Sequence, residues 1–289
     1  MNPSSAHEGF VVLLSRLVTR FLSTLGHDKH MFDFIVATNM GLRYTNGNNI
    51  RRMAEPDFQV LIENIHSRKW RPKWIGEVSF TVSPTVTRNN LRQVIAHQPH
   101  VDLAFMITIK EDPKWASPNS ENDSEALHQL RSQPLLTDEQ FGLNVGDDLG
   151  SVVKGGFAWI SIQEITFELY LRSSSGSLVI DDSRRDEHSA YGTLYPTNDM
   201  RDIDLLLLEG SNNLRDSLVL EMEGSDASAA SIGRVRQSMA NLAIDWDLVL
   251  RSYRIALLTA AYQRYEEWHQ FNNSEWEEEH TTDSSSAED

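Results

Sequence analysis

Apolar residues recur at helical spacing near the start of the chain. Between residues 10 and 25 they lie three or four positions apart, with Arg16 and Arg20 among the polar residues that separate them. The apolar set is Phe10, Leu14, Leu17, Phe21 and Leu25. This spacing predicts an amphipathic helix. Residues 31–37 are predicted to form a first strand, which leads into a Gly- and Asn-rich loop around Gly47.

Two segments of alternating polarity follow this loop. In residues 57–65, the even positions Phe58, Val60 and Ile62 are apolar and most of the odd positions are polar, and in residues 74–83 the alternation is cleaner. Because successive side chains of a strand point to opposite faces, each predicted strand has one apolar and one polar face. The link at residues 66–72 is short enough for a hairpin. The polar faces carry Asp57, Gln59, Glu63, Glu77, Ser79, Thr81 and Ser83.

A crossover unit comes next. Residues 87–97 are predicted to form a helix that buries Leu91, Val94 and Ile95, and residues 101–109 form an apolar run that is typical of a strand covered on both faces. A strand that returns through a helix runs parallel to its neighbour in the sheet. We therefore expect residues 101–109 to lie parallel to an earlier strand.

The second half of the chain is predicted to add a hairpin and long helices. Residues 159–172 alternate as a strand, and residues 178–180 are a candidate for its returning partner. Helices are predicted at residues 199–222 and 231–271. The apolar stripe of the second helix follows spacings of four and three, which fits either a coiled-coil seam or, more simply, packing on the domain.

These patterns divide the chain into four parts. Residues 1–110 form the core, residues 111–150 a polar loop or linker, and residues 151–271 a β-hairpin with a helical extension packed on the core. Residues 272–289 are predicted to be a disordered acidic tail.

Composition narrows the kinds of protein that this chain can be. The 289 residues include no cysteine, which excludes disulfides, thiolate zinc sites and cysteine nucleophiles and fits a reducing compartment. No apolar run approaches the roughly 20 residues that span a bilayer, and no basic region precedes the first apolar stretch. We expect a soluble, intracellular protein of the cytoplasm or nucleus, without a membrane partner. The net charge of −16 argues against broad nucleic-acid binding, although a local basic groove stays possible.

The two amphipathic strands also suggest a chemical site. If their apolar faces share a core, Asp57, Gln59, Glu77 and Ser79 gather on the opposite face. A turn at residues 68–69 leaves Asp57 and Glu77 within about three residues of direct register, a difference that a β-bulge can absorb. Two converging carboxylates can hold a hard cation such as Mg²⁺ or Mn²⁺, completed by water and phosphate oxygens.

The order of elements and the residues Pro56, Asp57 and Gly76–Glu77–Val78–Ser79 resemble the PD-(D/E)XK nuclease-like superfamily over roughly residues 7–110. The resemblance implies an α/β (α+β) fold with a restriction-endonuclease-like mixed sheet flanked by helices. It implies that Asp57 and Glu77 are catalytic metal ligands and that the Val78 carbonyl joins them. Glu8 matches an auxiliary acid of some members, and Gln93, with His97 one turn further on, matches a catalytic polar residue of others.

Ser79 is the main departure from the family pattern. The family usually has Lys at this catalytic position, and a hydroxyl cannot supply its positive charge, so Lys73, Arg88 or Arg92 would have to replace it. Two functions stay open: Mg²⁺-dependent phosphodiester hydrolysis of nucleic acid, or a catalytically inactive module that binds a protein partner or self-associates through its C-terminal helix.

Each candidate residue also has a purely structural interpretation. Asp57 can cap a turn after Pro56, and Glu77 can pair with Arg88. Glu8, Gln93 and His97 can be ordinary polar residues on helix surfaces.

Overall fold

The structure, a computed structural model, describes residues 5–46, 49–52, 55–80, 82–118, 124–143, 149–173, 176–181 and 186–282, and the side chains of residues 43–52 and 271–282 are outside this description. The chain forms two compact units, which we describe separately. The larger unit comprises residues 7–110 and 164–250, and the smaller comprises residues 1–6, 111–163 and 251–289. The loop position Gly47 lies outside the described residues.

The helices are α1 (Ser5–Leu22), α2 (Pro84–His97), α3 (Glu125–Ser132), α4 (Asp138–Gly142), α5 (Arg201–Glu223), α6 (Ala229–Gln237) and α7 (Trp246–Thr282). The strands are β1 (Phe32–Ala37), β2 (Arg43–Asn46), β3 (Asn49–Arg52), β4 (Phe58–Asn64), β5 (Lys69–Ser79), β6 (Leu103–Glu111), β7 (Ser151–Lys154), β8 (Phe157–Leu171) and β9 (Ser189–Tyr195). None of the described helices combines the length and hydrophobicity needed to cross a membrane.

The larger unit is built on a mixed sheet. Its strand order is β1-β4-β5-β6-β8, and β9 pairs with β8. Strand β4 is antiparallel to both β1 and β5, whereas β5 and β6 are parallel and are joined by α2, as the sequence predicted. Strand β8 runs antiparallel to β6, since Arg172 N donates to Asp102 O at one end and Asp112 N donates to Ser161 O at the other. The expectation of a mixed α/β sheet flanked by helices is therefore confirmed.

Both faces of this sheet are covered. Helix α1 lies on the face that carries Trp74 and Phe167: Phe21 stacks on Trp74 with 6.1 Å between ring centroids, and Phe10 lies 5.7 Å from Phe167. On the other face, α2 buries Leu91 and Val94 in a cluster with Ile75, Ala104 and Met106. The face of β5 that carries Glu77 and Ser79 therefore also carries the buried Ile75 and is covered by apolar residues of α2, whereas the sequence predicted a polar face.

Gly76 is the point of closest packing beside Glu77. A Cβ atom at this position would lie 2.1 Å from Cζ of Phe105, a ring that is buried in the core. We expect Gly76→Ala to lower the free energy of unfolding by about 1–3 kcal/mol or more, because a buried ring cannot move aside freely. Urea unfolding followed by circular dichroism measures this change.

A matched control is Gly233→Ala, since an added Cβ meets nothing within 4 Å in α6. Adding Phe105→Leu to Gly76→Ala should recover part of the lost stability. If Gly76→Ala were as stable as the unmodified protein, the close contact with Phe105 would be incorrect.

The C-terminal half of the larger unit differs from two predictions. The partner of β8 is β9 rather than residues 178–180, which form no strand, although Leu178 and Ile180 are buried against the α2 side of the core. The single helix predicted at residues 231–271 is two helices, because α6 ends at Gln237 and α7 begins at Trp246. The side chain of Asp245 accepts a hydrogen bond from Leu248 N and caps the start of α7. A continuous coiled-coil seam is therefore excluded.

The smaller unit contains more helix than the predicted polar loop. Ser124 caps α3, and Thr137 and Gln140 form a capping box at the start of α4. The N-terminal part of β8 pairs with β7, and an aromatic core packs beside it. This core consists of Phe141, Phe157, Trp159, Tyr265 and Trp268. Helix α7 continues to Thr282, so the part of the predicted disordered tail at residues 272–282 is helical, and residues 283–289 lie outside the description.

Candidate functional site

A β-bulge brings Asp57 and Glu77 into register. Near the turn, Asn64 pairs with Lys69, and at the other end Phe58 pairs with Gly76, with a shift between Val60 and Leu61. Val60 lies opposite Trp74 and Leu61 opposite Pro72, so Lys73 is the extra residue of the bulge. One residue before Phe58, Asp57 therefore lies opposite Glu77, as the two-strand geometry had suggested.

The two carboxyl groups interact directly. Asp57 raises the pKa of Glu77 through its charge and through a side-chain hydrogen bond, and Asp57 Oδ2 also accepts a hydrogen bond of 2.7 Å from the backbone N–H of Val78. Burial, followed by the negative charge of Asp57, raises the pKa of Glu77 from 4.5 to about 9. Glu77 is therefore protonated at neutral pH, and the pair holds one proton between two acids.

His7 completes this cluster from the first turns of α1. Its Nε2 lies 3.1 Å from Asp57 Oδ2, and its Nδ1 lies 3.5 Å from Glu8 Oε1. Burial alone would lower the pKa of His7, but the hydrogen bond to Asp57 and the charges of Asp57 and Glu8 outweigh it and raise the pKa. The sequence did not identify His7, and its only signal was its position beside Glu8.

Glu8 is connected to the acid pair through other residues. Its Oε1 accepts a hydrogen bond of 3.4 Å from Asn39 Nδ2, and Asn39 N lies 3.4 Å from the carbonyl oxygen of Asp57. Asn39 adopts a left-handed backbone with φ of 51°, a conformation that Asn tolerates better than most residues. Glu8 thus contacts His7 and Asn39 and reaches Asp57 through them.

Ser79 and Gln93 make contacts with groups other than the acid pair. The Ser79 side chain is buried, and its hydroxyl donates a hydrogen bond of 2.6 Å to Val82 O in the turn before α2. Gln93 and His97 are exposed on α2, whose buried residues include Thr87, and His97 Nδ1 lies 2.9 Å from the Gln93 carbonyl. The structure therefore does not bring Gln93 to the acid pair.

The three cations proposed to replace the family Lys are bound to other groups. Lys73 Nζ lies 3.3 Å from Asp102, and Arg92 Nε donates to the carbonyl of Ile180. Arg88 binds Glu168 through two hydrogen bonds of 2.7 and 3.1 Å, so it is not the partner of Glu77.

Glu168 was also missed from the sequence. It is an acid within an otherwise well-buried part of β8, and its Oε2 also accepts from the hydroxyl of Tyr170 at 2.6 Å. An acidic residue in a strand that is covered on both faces implies a cationic partner. The sequence does not show which cation that is.

The donor groups of the pair fit a magnesium-type ion. Mg²⁺ is held in proteins by one or two carboxylates, with water and substrate phosphate as its other ligands. In such a site Asp57 and Glu77 would supply the carboxylates, and the cation would take the place of the proton that relieves their repulsion. The carbonyl of Val78 points to the same side of β5 as its N–H, which contacts Asp57. Among the described residues no group of three or more His, Asp or Glu side chains has a metal-binding arrangement, so the protein alone offers only part of a coordination shell.

The fold and the site define a mixed α/β protein with a paired carboxylate site on adjacent strands. Comparisons with protein-family models, curated proteins and solved structures found no match. A functional assignment therefore depends on the geometry of the site.

Proposed function

We propose that this protein is a divergent PD-(D/E)XK nuclease-like protein that binds Mg²⁺ or Mn²⁺ at Asp57 and Glu77 and hydrolyses phosphodiester bonds in nucleic acid. The observation that carries the proposal is the direct interaction of the two acids on adjacent strands, with the pKa of Glu77 raised to about 9. A buried acid pair costs stability unless a proton or cation neutralises it, and such pairs occur preferentially at functional sites.

The order of elements supports a restriction-endonuclease-like fold. Helix α1 precedes β1, the antiparallel β4–β5 hairpin carries the two acids, and α2 leads to the parallel strand β6. This order is the one on which the resemblance to the superfamily rests. The β2–β3 hairpin between β1 and β4 and the strands β8 and β9 extend it.

Each residue of the site has a defined part in the proposed reaction. His7 and the Val78 N–H contact Asp57 Oδ2, which leaves the other oxygen of Asp57 and the Glu77 carboxyl as the proposed ligands of the cation. A cation held by Asp57 and Glu77 would supply a water of lowered pKa and would stabilise negative charge on the phosphate. Ser79 carries no positive charge to replace that of the family Lys, and its hydroxyl donates to Val82 O.

A second function is favoured by the contacts of the three cations that could replace the family Lys. Lys73, Arg88 and Arg92 each contact groups other than the acid pair, so none of them supplies the charge of the family Lys. A protein with this fold and no such charge could bind the cation without hydrolysing a phosphodiester. It would then be an interaction module, with a protein partner or a second copy bound through the C-terminal helix.

Metal binding and cleavage test the two functions together. We expect calorimetric titration at pH 8 to show Mg²⁺ or Mn²⁺ binding to the unmodified chain and little to Glu77→Gln. On labelled DNA and RNA, Glu77→Gln should lower the cleavage rate by roughly a hundredfold or more, since a metal contributes several kcal/mol and each 1.36 kcal/mol is a factor of ten.

The matched control is Glu187→Gln, which removes a carboxylate with a side chain that is 86% exposed. Cation binding without cleavage would support the interaction module. Cleavage that persists in Glu77→Gln would show that another site or a contaminant is responsible, and the absence of both binding and cleavage would refute the proposal.

A further inference from the structure

A polar cleft lies at the turn end of the β4–β5 hairpin, away from the acid pair. It has a volume of about 520 Å³ and lies between the turn end of the hairpin and the C-terminal part of α5. The side chains that matter here are Ser67, Lys69, Arg71, Lys73, Ser217 and Glu221. From Arg71 to Glu77 the strand rises about 20 Å, at roughly 3.3 Å per residue, so this cleft is separate from the acid pair.

Positive charge exceeds negative charge around this cleft. Arg71 pairs with Glu221, and Lys73 Nζ lies 3.3 Å from Asp102 Oδ2. Ser217 donates to the same oxygen of Asp102, and Arg172 lies 3.8 Å from its other oxygen. Lys69 is exposed and makes no ion pair within the described part of the chain. Of the described residues that line the cleft, Lys69, Arg71 and Lys73 are basic and Glu221 is acidic, and Asp102 beside the cleft pairs with Lys73, in a chain whose net charge is −16.

Part of this positive charge has a structural use. Backbone carbonyls give the C-terminal end of α5 a partial negative charge, which Arg71 and its neighbours stabilise. The positive charge also acts on His100, whose pKa is lowered by burial and then by the charges of Arg71 and Lys73. Glu221 and Asp102 act in the opposite direction and do not cancel this effect.

The β-bulge explains why Lys73 belongs to the cleft. Arg71 and Trp74 pair with Ile62 and Val60, and Lys73 is the residue without an opposite partner. A bulge changes the direction of a side chain that regular alternation would place elsewhere. The irregularity that brings Asp57 opposite Glu77 therefore also places a buried lysine in this cleft.

We propose that this cleft binds the phosphoryl group of a small anionic ligand. The guanidinium of Arg71 offers several N–H donors in a planar fork, Lys69 and Lys73 offer ammonium groups, and the Ser67 hydroxyl adds a neutral donor. The volume is within the usual range of roughly 300–1,000 Å³ for small-molecule sites. This site does not depend on the acid pair or on a metal ion.

Titration of the full chain with inorganic pyrophosphate in the presence of EDTA tests the proposal. We expect saturable binding by calorimetry, weakened roughly tenfold or more in Lys69→Glu and in Lys73→Met, because a hydrogen bond to a charged group contributes about that much. Arg68→Asn is the matched control: it removes the adjacent positive charge, and Asn tolerates the φ of 55° at this position.

Lys69 is exposed, so Lys69→Glu should fold normally, and circular dichroism checks this before the titration. Glu77→Gln should bind pyrophosphate as the unmodified chain does, which separates this site from the proposed metal site. The proposal is overturned if pyrophosphate does not bind, if Lys69→Glu weakens binding no more than Arg68→Asn, or if Glu77→Gln abolishes it.

Discussion

Unfolding of this protein should require several kcal/mol less free energy at pH 8.5 than at pH 5. Glu77 is responsible, because its pKa is raised from 4.5 to about 9 by burial and by the charge of Asp57. Between these two pH values the folded protein keeps the proton on Glu77, whereas the unfolded chain has lost it. The unfolded state thus binds fewer protons, and the free energy of unfolding falls as pH rises.

The direction and the pH range of this effect are fixed by the raised pKa. The contribution of Glu77 to stability is fully present below pH 4.5, falls across the interval above it, and is lost once pH exceeds about 9. The steepest possible slope for one group is about 1.4 kcal/mol per pH unit. His7 acts in the same direction, since its raised pKa means that the folded state also binds its proton more strongly.

Glu77→Gln isolates the contribution of Glu77. Glutamine can donate a hydrogen bond to Asp57 as protonated Glu77 does, but it carries no charge at any pH. Urea unfolding at several pH values should show the variant close to the unmodified protein at pH 5 and clearly more stable at pH 8.5. Glu187→Gln should follow the unmodified protein throughout. Parallel curves for Glu77→Gln and the unmodified protein would show that Glu77 is not buried beside Asp57.

The same experiment connects stability with the proposed metal. A cation that binds the folded state alone stabilises it by mass action. If Mg²⁺ or Mn²⁺ replaces the proton on the pair, either ion should raise the midpoint of unfolding at pH 8.5 more than at pH 5. Neither should do so in Glu77→Gln.

Much of the central sheet could be predicted from local sequence because its elements have strong periodicity. The helix at residues 10–25, the alternating strands and the crossover to β6 each bury one clear set of apolar residues. The pairing of Asp57 with Glu77 followed from the short hairpin and one bulge. The sequence indicated that a bulge was needed but not where it lies. Residues 71–74 carry no pattern that identifies Lys73 as the extra residue.

The errors arose where long-range contacts decide the structure. Leu178 and Ile180 are apolar because they cover the core, and nothing in their spacing distinguishes that role from a strand paired with β8. Ala240 and Leu242 are buried in the extended segment between α6 and α7, so they continue the apolar stripe through a break. Asp245 gave a signal for that break, as an acid directly before Trp246 that can cap a helix.

The residues missed at the site share a physical cause. His7 lies fifty positions from Asp57 in sequence, and Glu168 lies eighty positions from Arg88, so no local pattern could join them. Each is a polar group whose partner is supplied by the tertiary fold. Burial of Glu77 beside apolar residues was visible in the sequence, but its partner could have been either Asp57 or Arg88.

Glu168→Ala should lower the free energy of unfolding by about 3 kcal/mol or more. The side chains of Arg88 and Glu168 are 17% and 11% exposed, and truncating one member of such a pair leaves the other charge buried without compensation. The change also removes the acceptor of the Tyr170 hydroxyl. Urea unfolding of the variant measures the loss, and Glu164→Ala, which removes an acid from the same strand, is the matched control.

Replacing the whole polar group distinguishes a lost ion pair from a lost packing contact. A triple variant combines Arg88→Met, Glu168→Leu and Tyr170→Phe. It leaves no buried charge or hydroxyl at these three positions, so most of the stability lost in Glu168→Ala should return. Because α2 carries Arg88 and begins five residues after Ser79, the pair also anchors the crossover helix beside the site. If it serves the fold alone, the combined variant should bind Mg²⁺ as tightly as the unmodified protein. Loss of metal binding in a stable combined variant would instead assign Arg88 and Glu168 to the site itself.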